Sequence, residues 1–158
     1  MVAVRSYPRR YRALLATPDP DDADAPGHVI RRRPGPSTWS ALEYTAHVAD
    51  VLDHLGPAIH RITVENEPTI TFFDNDERAV QQAYNDMPRA EVLGWLDLAC
   101  EDLASILEAT SADDWSRVGH FEWGDRTALD MARNAVHEGS HHLRDVQRVL
   151  NQVRGRPA

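Results

Sequence analysis

The chain carries one cysteine, Cys100, in 158 residues. A lone thiol cannot close an intrachain disulfide, and without a CxxC pair there is no thiolate metal knot. Long apolar runs are missing as well. Nothing approaches the roughly 18 consecutive apolar residues of a membrane span. The opening stretch, MVAVRSYPRRYRALLA, lacks the apolar core and cleavage site of a signal peptide. Positive charge is in the minority, with 17 basic against 25 acidic residues and a formal net charge of -8. Such a chain repels a phosphate backbone, so nucleic acid is not an expected partner, and neither is a membrane. The three arginines at 31–33 run into Pro34 and read as a solvated loop. These absences leave a soluble, cytoplasmic protein as the expectation.

A hydrophobic content of 42% is ordinary for a globular protein and argues against wholesale disorder. The length fits a single domain, residues 1–158, large enough to bury a core without staples. Residues 1–36 supply a first helix, about 5–16, and a long Pro- and Asp-rich loop. In the next segment Tyr44, Val48, Val51, Leu55, Ile59 and Ile62 recur at three- and four-residue spacing. They predict an amphipathic helix of about 25 residues. Ser40 and Glu43 fit a capping box at its start, and Gly56-Pro57 marks a kink or a break. Residues 69–73 read as an extended connection without a partner strand. A short helix capped by Asp74 or Asn75 follows. A further helix starts near Pro88, with Val92, Trp95, Leu96, Ala99, Leu103, Ile106 and Leu107 as its stripe. The last helix spans about 127–153 with Thr127 as its cap. Four main helices and no convincing sheet predict an all-α four-helix bundle.

Eight histidines are the one unusual count. His137 and His141 are spaced i, i+4 on the last helix, which puts both imidazoles on one side and within reach of one ion. HEGSH at 137–141 also matches the H-E-x-x-H pattern, in which Glu138 would be the general base of a metalloprotease. His47 lies mid-helix at the border of an apolar face, with Glu43, Asp50 and His54 on the same border. The bland alternative is a polar strip of solvated side chains. His142, about 100° from His141, reads as covering the core edge. His28, His60 and His120 stand singly as structural or surface residues. Cys100, beside the apolar stripe, reads as a buried small residue.

Two segments carry a family resemblance. WSALEYTAHVADVL, with Trp39, Glu43, His47 and Asp50, resembles the second helix of the DinB/YfiT-like superfamily. AVHEGSHHLRDVQRVL, with His137, His141 and Asp145, resembles its last. The resemblance implies a DinB-like four-helix bundle with up-down-down-up topology and a metal triad of His47, His137 and His141. Many relatives carry an Arg/Ser-Gly-Gln-type turn after the final histidine. This chain has HisLeuArgAsp there, the mark of a different branch. The resemblance also implies a homodimer and a small-molecule substrate. The family includes S-transferases and isomerases that use low-molecular-weight thiols.

The leading expectation is therefore a metal-dependent enzyme activating a thiol or water at a three-histidine site. Zinc comes first as the ion, with nickel or another transition metal next. Glu43, and with it Glu138, are the candidate bases. Asp50 and Asp145 are candidate imidazole orienters. Arg144 and Arg148 are candidate receivers of a substrate carboxylate. A non-catalytic, metal-stabilised bundle and a zincin-type hydrolase are the alternatives.

Overall fold

The central helix explains the architecture. A computed structural model describes residues 2–16, 24–25 and 28–155. In it, α2 (Ala41–Val64) is buried on nearly every side along its first half, from Ala41 through Leu52 with only Tyr44 partly exposed. Alanines at 41, 46, 49 and 58 keep it thin enough for neighbours to close around it. It packs against α4 (Arg89–Ala109) and α5 (Ala128–Val153), while α1 (Val2–Leu14) packs on the same two helices from the other side. Chain neighbours α1 and α2 are thus separated across the bundle. The four-helix, all-α expectation holds.

Local signals account for the helix ends. Ser40 accepts from the Glu43 amide, and the Glu43 carboxylate accepts from the Ser40 amide, which is the capping box expected. Thr127 and Asp130 form a second such box at the start of α5. Asp74 caps the short α3 (Asn75–Gln81). Pro88 precedes α4 as its N-cap, one position outside the first turn. α2 runs unbroken through Gly56-Pro57, so the two-helix reading does not hold. Gly56 is where α4 comes close: a β-carbon there would sit 3.3 Å from Ile106 Cδ1. Cys100 is buried in the α4 stripe with Val92, Leu96, Ala99 and Leu103, as expected. Burial pushes its thiol pKa up to about 12, which leaves it unreactive.

The connections are more structured than their composition indicated. The extended 69–73 segment finds a partner in the loop before α5. Ile70 N donates to His120 O and His120 N to Pro68 O, both at 2.9 Å. A ribbon of two-residue strands, β1 (Val118–Gly119) and β2 (Arg126–Thr127), leads into the cap of α5. Of the expected loop at 17–27, only residues 24 and 25 lie within the described residues.

One contact sets the rotation of α5. Gly139 faces Tyr7 of α1 so closely that a β-carbon would lie 2.2 Å from Tyr7 Cε2. The Tyr7 hydroxyl donates to Val136 O at 2.8 Å, and the Tyr11 hydroxyl donates to Gly139 O at 3.0 Å. Two buried tyrosines therefore clamp α5 at its glycine.

Candidate metal centre

The buried residues of α5 include Ala128, Met131, Ala135, Gly139, Val146 and Val149. With about 100° per residue, His137 and His141 each fall about 160° from Gly139. They emerge on the outward face. Both are exposed, and their rings stack on each other with centroids 5.3 Å apart. Glu138 and His142 fall about 100° and 60° from Gly139, on the border of the buried face. They meet α2 there.

His47, Glu138 and His142 converge, with one ligand atom from each lying within 4.8 Å of the others. The expected grouping of His47 with His137 and His141 is not the one the helices make. Spacing alone picks out His137 and His141, but packing buries the α5 face that runs through Ala128, Ala135, Gly139, Val146 and Val149, and leaves Leu129 exposed and Val136 half-buried. That face puts Glu138 and His142, each one residue further on, at the border with α2.

The separations within the trio are informative. Glu138 Oε2 lies 3.6 Å from His47 Nε2 and 3.3 Å from His142 Nε2. Both exceed the usual hydrogen-bond range of about 2.7–3.2 Å. The shorter matches, and the longer slightly exceeds, the roughly 3.3–3.4 Å between two ligand atoms bound tetrahedrally to one ion at about 2.0–2.1 Å. His47 is fully enclosed, and its Nδ1 is buried without a hydrogen-bond partner, the only such side-chain atom among the described residues. A buried polar atom left so costs on the order of 1–3 kcal/mol, so the ring is held here against a penalty. Trp39 meets it edge-on at 5.0 Å, and the His142 ring does so at 4.9 Å. Glu138 and His142 keep a little side-chain exposure, 22% and 14%, which leaves one side of the trio open.

Asp145 supports this arrangement from behind. It is buried, and His142 Nδ1 contacts its Oδ2 at 2.8 Å. That contact directs His142 Nε2 toward Glu138. The imidazoles of His142 and, less strongly, His47 hold the Glu138 carboxyl far below the usual carboxylate range despite its burial. Burial alone would lower the His142 pKa. Contacts with Glu138 and Asp145 outweigh it and raise the pKa instead. A second cluster, His141, His142 and Asp145, shares two of these residues, with His141 Nε2 at 3.3 Å from Asp145 Oδ2.

The remaining sequence candidates are placed as follows. Glu43 lies one turn before His47, but its carboxylate is engaged in the capping box and by Arg33 and does not join the trio. Asp50 accepts from Arg78 and from the Tyr84 hydroxyl; it anchors α3 and the turn after it to α2 and orients no imidazole. Arg148 pairs with Asp145. Arg144 is exposed on the outward face. His142 was missed as a chemical residue. Its available signals were Asp145 three positions on and Glu138 four positions back.

The sequence pattern of the DinB superfamily matches residues 6–146. Among solved structures, YfiT from Bacillus subtilis, described as a probable metal-dependent hydrolase with an unusual four-helix bundle topology, superposes with a TM-score of 0.82. The two are 13% identical, and the match covers 99% of this chain and 86% of YfiT. No curated protein sequence is significantly similar. No helix among the described residues is long and apolar enough to cross a membrane.

Proposed function

The chain belongs to the DinB superfamily, and from that premise we propose that it is a metal-dependent enzyme whose ion is held by His47, Glu138 and His142. The observation that carries this reading is the convergence of three ligand atoms within 4.8 Å of one another, with Glu138 Oε2 at 3.3 and 3.6 Å from the two imidazole nitrogens, beyond the usual hydrogen-bond range and close to what shared coordination needs. Two imidazoles and a carboxylate are also the donor set of zinc hydrolases such as thermolysin and carboxypeptidase A. The description of YfiT as a probable metal-dependent hydrolase agrees with it.

When bound, such an ion supplies Lewis acidity and lowers the pKa of a water or a thiol at its open position. The chain's own residues prepare that position. Asp145 fixes the His142 tautomer through Nδ1 and keeps the ring aimed. Trp39 and Tyr44 wall the imidazoles from one side. Glu138 serves as a ligand, replacing the role of base that HEGSH implied. Water is the favoured nucleophile on the donor set, and a low-molecular-weight thiol is the second reading, carried by the family resemblance. The acceptor is a small molecule.

Untagged protein reloaded with zinc or nickel tests the site by metal analysis. Wild type and His137→Ala are expected to hold about one ion per chain, while His47→Ala and His142→Ala bind at least about 100-fold more weakly. Loss in His137→Ala with retention in His142→Ala would overturn the assignment in favour of the outward pair. Ester and amide substrates, assayed with and without added thiol, then separate hydrolysis from thiol transfer.

A further inference from the structure

The outward face of α5 borders a cleft of about 710 Å³. That is within the roughly 300–1,000 Å³ of small-molecule sites. Trp123, Arg126, Asp130, Arg133, Asn134 and His137 line it. None of these holds the proposed ion.

Trp123 is 49% exposed, although a tryptophan is normally covered. It is nonetheless held in place. Its ring stacks on Phe121 at 5.2 Å and meets Phe72 edge-on at 5.7 Å. The turn that presents it closes with Gly124 N donating to Phe121 O at 3.0 Å. Gly124 has φ +104°, a region that glycine occupies freely and other residues do not. A glycine and two phenylalanines thus support an aromatic surface that is left half exposed among the described residues.

Cationic groups surround that surface. Arg126 donates one hydrogen bond, to Asp125 O at 2.7 Å. Arg133, with a side chain 72% exposed, has one ion pair, to Asp130 at 4.0 Å. Asp130 Oδ2 already accepts from the Thr127 amide and hydroxyl as part of the helix cap. A guanidinium has five N–H donors, so most of those on both arginines are free of protein acceptors. Counting Asp130, on whose carboxyl both arginines act, the lining still carries one net positive charge in a chain of net charge -8. Asn134 lies one turn before Glu138 on α5, about 6 Å along the axis and on nearly the same side.

We propose that this cleft binds a small aromatic carboxylate, its ring on Trp123 and its carboxylate between Arg126 and Arg133. Resting on the metal reading above, the cleft anchors the acidic end of the substrate, and the remainder extends past Asn134 toward Glu138 and His142.

The test is calorimetric titration of the metal-free full chain with 2-naphthylacetate, its neutral amide and a metal-loaded repeat. Wild type is expected to bind the carboxylate with a Kd on the order of 0.1–1 mM. The amide and the Arg126→Gln/Arg133→Gln double variant should each bind about tenfold more weakly. Trp123→Ala should bind about two- to tenfold more weakly. Because Trp123 and Arg133 are exposed and Arg126 is only half-buried, circular dichroism should show all variants folded. Saturable binding that discriminates carboxylate from amide supports the proposal whether or not the loaded protein turns over any substrate, so failure of the metal reading leaves a separate signature. Absence of saturable binding up to about 5 mM, equal binding of the amide, or unchanged affinity in the folded variants overturns it.

Discussion

Helix α5 carries two pairs with the same four-residue spacing, one residue out of step. His137 and His141 stack on each other in solvent, with the His141 side chain 54% exposed. Glu138 and His142 face the enclosed His47 and are backed by the buried Asp145. Spacing therefore makes a pair able to share an ion, but rotation of the helix decides which pair meets a third ligand. Here the rotation is set elsewhere, by Tyr7 and Tyr11 seated on Gly139.

The sharpest way to break the contrast is to disturb that seat. Gly139→Ala forces a β-carbon into the Tyr7 ring. Overpacking of this kind costs about 1–3 kcal/mol, even though alanine favours a helix by about 1 kcal/mol over glycine. Urea denaturation should show a net loss, and an unchanged midpoint would mean that this contact does not set the rotation. A smaller effect is expected behind the site. Asp145→Asn removes the carboxylate that aims His142, and zinc affinity, read by competition with a chromophoric chelator, should fall about tenfold. His141→Ala removes a ring that also approaches Asp145, yet affinity should stay within about twofold, because that ring lies outside the trio.

The smallest effect belongs to the outward face. The hydroxyl and then the amide of Thr127 hold the Asp130 carboxyl below its usual range. A depressed folded pKa stabilises above the unfolded value, near pH 4, and that contribution disappears as pH falls through the folded value. Asp130→Asn should therefore lower the urea midpoint slightly at pH 7, and the difference from wild type should shrink as pH falls below the unfolded value and vanish once the carboxyl is protonated in both states. A difference that persists in acid would assign the effect to packing and not to the charged cap.

Most of the helices were legible. Ser40 with Glu43, Thr127 and Asp74 announce helix starts through contacts within four residues of themselves. The stripe of α4 could be read because both its large and small members repeat at helical spacing. The buried face of α5 is harder to centre from the sequence, because alanines and a glycine of little hydrophobic weight sit among its buried positions while Leu129 is large but exposed. Likewise His47 was expected at the edge of an apolar face. The sequence cannot show that α2 is enclosed by two neighbouring helices and so has little polar side at that level. The roles of Glu43 and Asp50 were also decided by distant partners, Arg33 for one and Arg78 with Tyr84 for the other.

By itself, then, the sequence determined the all-α bundle, the helix caps, the buried thiol and the concentration of histidine on two helices, because these follow from periodicity and near-neighbour hydrogen bonds. Only the tertiary structure decided that His47 meets Glu138 and His142, and that His137 opens onto a cleft with Trp123 and two arginines. The reason is geometric. One residue of difference is about 100° around a helix, and that angle is set by which small residue a neighbouring helix presses against.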